Sequence, residues 1–239
     1  MLLPAGLSAA VRAGFSTRAG GVSVAPYASL NLALHVGDAP ADVAANRSRL
    51  GHALAVEHLI FAEQVHGPGV AVVEGPHPTM VPGVDALVTR RPGLALVVLA
   101  ADCLPVLLVD PEAGVVAAAH AGRQGLAAGV LPATLAVMTG LGATAAGISA
   151  VVGPAVCGRC YEVPGAMADE VEALVPGSRS STLAGTASLD LTAGALAQLR
   201  GAGLLDVRAV GGCTVEQSHH YSYRRDGRTG RHAGAVVLA

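Results

Sequence analysis

The sequence predicts an α+β fold in which mixed β-sheets are covered by helices. Three observations lead there. Runs of Val, Leu and Ala at Leu94–Ala100, Pro105–Val109 and Val115–His120 lack alternation, the pattern of strands buried on both faces. Strand-like and helix-like stretches alternate only imperfectly, which favours mixed sheets over a regular βαβ series. The chain also carries 31 Gly and 14 Pro, so turns separate many short elements. Its 239 residues suffice for a full core, and no linker or repeat interrupts them, so 1–239 reads as a single domain.

Val11 to Thr17 reads as the first strand. The stretch RAGGVSVAPYASLNLALHVGD that follows has no helical period, and a long irregular segment inside a domain is usually functional or disordered. Its apolar residues argue against disorder. From Pro40, helical spacing sets Val43, Leu50 and Leu54 on one side, with Asn46, Arg47 and Arg49 elsewhere. Leu59–Val65, Val70–Glu74 and Val84–Thr89 are the next strands, the first leading into Gln64-Val65-His66-Gly67. After the central apolar runs, Gly125–Leu141 is expected as one helix and Ile148–Val152 as a strand. Gly165–Val175 and Thr192–Gly201 look helical, and Val207–Val210 extended. The C-terminus reads as a hairpin, with Tyr221–Arg225 and Arg231–Leu238 flanking a Gly-rich turn.

Composition narrows the function. The net charge is -2, so no basic surface suggests nucleic acid or an anionic membrane. All 15 basic residues are Arg, which excludes a lysine Schiff base, a lysine nucleophile and a P-loop lysine. Phosphate would have to be held by Arg, backbone N–H or metal. Four Cys do not make a disulfide framework in a chain of this length. The start lacks a basic region and carries Pro4, so no signal peptide is expected. Asp102 and Pro105 break the longest apolar stretch, so no membrane span is expected either, and the expected location is the cytoplasm.

His66, Cys103 and His120 each follow an apolar run, with Gly67, Ala101 or Ala121 close by. Zinc takes His nitrogen and Cys thiolate, and a catalytic site uses three protein ligands with one open position. The competing reading is a small buried Cys and two satisfied core His, and the spacing alone leaves both open. Asp102 is a candidate partner for a ligating His or a turn cap. The Cys157-Gly158-Arg159-Cys160 stretch reads as a loop with two partly buried thiols, and Cys213 as packing. Arg224, Arg225, Arg228 and Arg231 read as a paired surface with Asp226 as one partner. The adjacent His219 and His220 would point to opposite faces of a strand and would rarely share an ion.

The stretches SLNLALHVGD, NRSRL, QVHG, DALVT, ADCLPVLLVD, AAAHAG, GPAVCGRCYEV, GGCT and YSYRRDGRTGR occur in that order across essentially the full chain. Together they resemble the YfiH family, long described as multicopper polyphenol oxidases or laccases. The resemblance implies a layered α/β/β/α arrangement, a monomer, and a zinc-dependent purine nucleoside phosphorylase with possible adenosine deaminase activity. Its expected substrates are purine nucleosides (adenosine, inosine, guanosine and methylthioadenosine) and phosphate. The family's metal ligands carry over onto His66, Cys103 and His120, which would also be the catalytic residues. Asn31, Arg47, Gln64 and Arg123 are the candidate substrate contacts. One departure stands out: the family often reads HAGWRGL, whereas this chain has Arg123-Gln124 in place of Trp-Arg. The family's Arg is thus matched one position early, where it can still meet phosphate.

Three alternatives remain open at this stage. A copper polyphenol oxidase would need a cluster of paired His, and the chain has 9 His and no His-x-His. A metal-free Cys–His hydrolase, acting on peptidoglycan precursors as some relatives are linked to, would use Cys103 as nucleophile and His120 as base. A purely structural zinc would need a fourth protein ligand such as Cys213.

Overall fold

The computed structural model describes residues 2–239. Two sheets lie face to face, and helices cover their outer faces. The first sheet has five strands: β1 (Leu2–Pro4), β2 (Val11–Ser16), β3 (His58–Phe61), β6 (Leu94–Ala100) and β13 (His232–Leu238), ordered β1-β2-β13-β6-β3. The second has six: β4 (Val70–Val72), β5 (Ala86–Thr89), β7 (Leu104–Asp110), β8 (Val115–Ala121), β9 (Ser149–Val152) and β12 (Asp206–Ala209), ordered β12-β9-β7-β8-β5-β4. Parallel pairs β3–β6, β4–β5 and β9–β12 join antiparallel ones, so both sheets are mixed.

The unbroken apolar runs have a direct cause. Every residue of β6, β7, β8 and β13 is buried. In β6, Leu94, Leu96 and Val98 face the opposite sheet, together with Leu107, Val116 and Val236. The alternate residues Ala95, Val97 and Leu99 face the helix α1 (Pro40–Leu54), through Leu50 and Leu54. In β7 and β8, Val106, Leu108, Ala117 and Ala119 face the far side. There they meet α3 (Val130–Gly140) and α5 (Leu191–Gly201) through Leu131, Leu135 and Leu199. With apolar cover on both faces, neither face needs polar residues, and the layers run α/β/β/α.

Several expectations are corrected. Asn46 lies on the buried face of α1 with Val43 and Leu50. It is buried because it satisfies the irregular segment. Its amide donates to Ser23 Oγ (2.9 Å) and to the Ser29 (3.1 Å) and Asn31 (2.9 Å) carbonyls, and its oxygen accepts from Val22 N–H (2.9 Å). The helix expected over 125–141 is two, α2 (Arg123–Ala127) and α3, parted at Gly129, whose φ of 87° breaks the ladder. No C-terminal hairpin forms. Both edges of β13 are taken by β2 and β6, and Tyr223–Asp226 is a short helix, α6, capped by Ser222 Oγ accepting from Arg225 N–H (3.1 Å). The Arg225 guanidinium fixes that turn by donating to the Thr214 (2.7 Å) and His220 (2.9 Å) carbonyls. β1 and the small hairpin of β10 (Arg179–Ser181) and β11 (Ala187–Leu189) went unread, being too short to carry a period. The helix α4 (Gly165–Leu174) lies where expected.

Candidate metal centre and its cleft

The three predicted ligands meet at one end of the sheets. His120 is the one polar residue of β8, next to its end, while His66 and Cys103 stand on turns. His66 lies beyond β3 with φ 60°, and Cys103 follows Asp102, whose φ is 94°. Their donor atoms lie within 4.8 Å of one another, and Cys103 Sγ stands 4.0 Å from His66 Nε2. The two imidazoles meet edge to face, with centroids 4.9 Å apart. Gly122 leaves the space: a Cβ there would lie 2.9 Å from His66 Cδ2 and 3.0 Å from Cys103 Sγ.

Asp85 organises the centre. Fully buried at the start of β5, its carboxylate accepts from the backbone N–H of Val65 (3.0 Å), His66 (3.0 Å) and Gly67 (2.8 Å). It also takes the Nδ1–H of His120 at 2.8 Å. One carboxylate thus fixes the turn carrying His66 and directs the lone pair of His120 Nε2 towards the centre. Burial pushes the Asp85 carboxyl up, but the His120 bond and the Gly67 and Val65 N–H groups outweigh it, so its pKa is lowered. Burial likewise works against charge on Cys103 and His120. The His120 and His66 rings nevertheless bring the Cys103 thiol down to about 6, and the Cys103 thiolate and Asp85 bring His120 up to about 9.

The sequence reading missed Asp85 and weighed Asp102 instead. Asp102 serves the scaffold, accepting from Thr214 Oγ1 and from the Arg224 backbone N–H, each at 2.6 Å. The signal for Asp85 was present in DALVT: a carboxylate beside a mostly apolar run falls where burial is expected, and a buried carboxylate needs partners.

Two cavities meet at Cys103. One, of about 500 Å³, is lined by His35, Gln64, His66, His120, Tyr223 and Arg231 among others. The other, of about 430 Å³, is lined by Arg123, Tyr161, Tyr223 and Arg224 among others. Gln64 lines the first while its amide pairs with the backbone of Leu99 (2.8 and 2.7 Å), prolonging the β3–β6 ladder. Arg123 lines the second. Asn31 and Arg47 line neither. Asn31 holds Ala33, Asp38 and the backbone N–H of Arg231 (2.9 Å). Arg47 lies over the Phe61 ring at 3.8 Å and donates to the Leu32 carbonyl at 2.9 Å. His35 and Arg231 went unread as cleft residues. Burial, then the charges of Arg231 and Arg47, lower the His35 pKa, so the imidazole is neutral at neutral pH.

The donor set suits a metal ion. Zinc bonded to sulfur and nitrogen at its usual lengths in a tetrahedron sets them about 3.6 Å apart. The Cys103–His66 separation of 4.0 Å needs only a small closure to reach that. Three donors and an adjoining cavity leave one position for a small molecule, the arrangement of catalytic rather than structural sites. Cys213 does not approach this centre. It lies instead with Cys157, Cys160 and Glu216. Among the described residues, no helix is long and apolar enough to cross a membrane.

Relatives share the whole architecture. A purine nucleoside phosphorylase of Streptomyces griseus is 55% identical over 228 residues, spanning 94% of this chain and 93% of that protein. The Deinococcus radiodurans purine nucleoside phosphorylase is 46% identical over 232 residues, spanning 96% and 90%. Among solved structures, YlmD from Geobacillus stearothermophilus superposes with a TM-score of 0.91 at 36% identity, over 99% of this chain and 96% of that one. The Bacillus licheniformis protein YfiH gives 0.87 at 32% identity, over 96% and 93%. The family profile described as multi-copper polyphenol oxidoreductase laccase matches residues 12–239, and by that match and these relatives the chain belongs to that family, the YfiH family which its motifs resemble.

Proposed function

We propose that this chain is a zinc-dependent purine nucleoside phosphorylase, with adenosine deamination as a second activity of the same site. The observation that carries the reading is the His66–Cys103–His120 donor set, oriented by Asp85, at the junction of two cavities, one lined by Arg231 and the other by Arg123 and Arg224. The relatives named purine nucleoside phosphorylases supply the substrate class. His66, Cys103 and His120 would hold the ion, which when bound supplies a Lewis acid at its open position.

The remaining steps fall to the chain's own residues. In phosphorolysis, a phosphate oxygen bonds to C1′ of the ribose as the C1′–N9 bond breaks. The purine leaves with the bonding pair and takes up a proton. The transition state resembles an oxocarbenium ion, by analogy with glycoside hydrolysis, so an anion beneath C1′ is stabilising. Arg231, half-buried and lining the same cavity as Cys103, would hold that phosphate, and Asn31 holds the Arg231 backbone. His35 and Gln64 offer neutral hydrogen-bonding groups to the sugar. Arg123 and Arg224 flank Tyr161 in the second cavity, where the tyrosine ring offers a face to a purine. With Arg123 where relatives often carry Trp, this lobe is more cationic and less apolar, and substrate preference should shift here first.

A second reading has one observation in its favour. Asp85, His120 and Cys103 stand in the order of a Cys–His–Asp triad, with a depressed thiol and an elevated imidazole. Purified protein incubated with adenosine, inosine, guanosine and methylthioadenosine, with and without phosphate, separates the two. Free base and a sugar 1-phosphate should form only with phosphate, be lost to a chelator and return with zinc. A thiol hydrolase would ignore the chelator. No turnover of any purine nucleoside by zinc-loaded protein would overturn the proposal.

A further inference from the structure

The CxxC stretch, which the sequence presents as a loop with two partly buried thiols, and Cys213, which it presents as packing, come together in space. Cys157 and Cys160 lie in the turn after β9, and Cys213 and Glu216 in the turn after β12. These strands are parallel neighbours, and an Ala155–Cys213 bridge carries their pairing on into the two turns. The three sulfurs and one Glu216 oxygen lie within 4.8 Å of one another. Glu216 Oε1 stands 4.0 Å from Cys157 Sγ and 3.8 Å from Cys160 Sγ. All four cysteines of the chain are free thiols, so no disulfide accounts for the gathering.

We propose that Cys157, Cys160, Cys213 and Glu216 form a second, structural zinc site, separate from the His66–Cys103–His120 centre. The donor chemistry is that of a closed site: four protein ligands, three of them thiolates, with the two-residue spacing that lets a turn present both sulfurs to one ion. Tetrahedral zinc at its usual bond lengths separates such donors by about 3.6–3.8 Å, and the two Glu216 distances already approach this. The backbone N–H of Cys157 points at Cys213 Sγ at 3.4 Å, the kind of bond that orients and stabilises a ligating thiolate. The Arg159 guanidinium meets both Glu216 oxygens (3.1 and 3.3 Å), fixing the carboxylate and offsetting the excess negative charge that three thiolates and a carboxylate leave around a divalent ion. Binding releases the thiol protons to solvent. A surface cleft of about 550 Å³ lined by Cys157, Cys213 and Glu216 gives the ion a way in.

The position gives the site a task. It ties the turn after β9 to the turn after β12. From the latter, Thr214 reaches Asp102 beside Cys103 at 2.6 Å and accepts from Arg225 of α6 at 2.7 Å. The second ion thus braces the segment that presents Tyr223 and Arg224 to the cleft.

Metal analysis of tag-free protein tests this independently of any activity. Two zinc ions per chain are expected in the wild type and one in Cys103→Ala. Cobalt-substituted Cys103→Ala should show the intense sulfur-to-cobalt charge-transfer absorption of several thiolates. A Cys157→Ser, Cys160→Ser double variant should retain one ion, bound at the other centre. Should the double variant fail to fold, Glu216→Gln supplies the same comparison through weakened zinc retention in a chelator titration. Metal-free Cys103→Ala protein, or a disulfide among Cys157, Cys160 and Cys213 in protein alkylated without reductant, would overturn the proposal.

Discussion

Asp85→Asn is the substitution that probes the centre most sharply. The side chain keeps its shape and burial, so the perturbation is confined to charge and to one oxygen. In the wild type, Oδ2 accepts from Val65 and Gly67, and Oδ1 from His66 and the His120 ring. An amide keeps one oxygen, so whichever way it turns, one pair of N–H groups faces an NH₂. Two hydrogen bonds to a charged group are lost, each worth about 1.5–3 kcal/mol, giving a destabilisation of about 3–6 kcal/mol. The His120 imidazole also loses the carboxylate that fixes its tautomer, and disturbing such a partner typically costs about 10–100-fold in metal affinity. Urea unfolding of the metal-free protein reads the first effect, and competition with a chromophoric chelator reads the second. Wild-type stability with wild-type metal affinity would refute the role assigned to Asp85.

Other perturbations follow from the same geometry. Gly122→Ala places a Cβ 2.9 Å from His66 Cδ2 and 3.0 Å from Cys103 Sγ, so zinc affinity in the same competition should fall at least about tenfold while circular dichroism stays native. In the metal-free protein Cys103 is depressed to about 6 and His120 raised to about 9. The Cys103 contribution to stability is present above the ordinary thiol range and lost as pH falls through about 6. That of His120 is present below the ordinary imidazole range and lost as pH rises through about 9. Iodoacetamide labelling of the Cys103 peptide in metal-free protein should therefore stay fast at neutral pH and fade only as pH falls through about 6; labelling that sets in only near the ordinary thiol value of about 8.5 would contradict this. Arg231→Gln should raise the KM for phosphate at least about tenfold, the scale of one charge-assisted bond, with less effect on the KM for nucleoside. Leu107→Ala, fully buried between the two sheets, should cost about 2–5 kcal/mol in unfolding without altering metal content.

The central strands were legible because they have a simple cause, whereas their layering came only from the family resemblance. Strands β6, β7 and β8 are covered on both faces, so their sequences carry no polar alternation, and composition alone placed them within a residue or two. Pairing was not legible. The run at 231–238 looked like half of a local hairpin, but its partners β2 and β6 lie far away in sequence, and only tertiary packing selects them. Asn46 was misplaced for a related reason: a polar residue on an apolar face makes sense only once the backbone that it satisfies is present. At the candidate site, residue chemistry offered His66, Cys103 and His120, whose donor atoms the structure brings within 4.8 Å of one another. Spacing left them open, and the ordered motifs chose them. Asp85 and Arg231 escaped because their importance comes from neighbours brought by other elements. Cys213 was set beside the CxxC stretch by strand pairing that no local pattern records.

The most direct test of the account follows phosphate. Zinc-loaded protein is given a purine nucleoside with labelled inorganic phosphate, and the sugar product is examined for label. Label at C1 of the sugar, appearing in step with free base and abolished in Cys103→Ala, is the result expected. Free base formed at the same rate without phosphate, or no base at all, would contradict it.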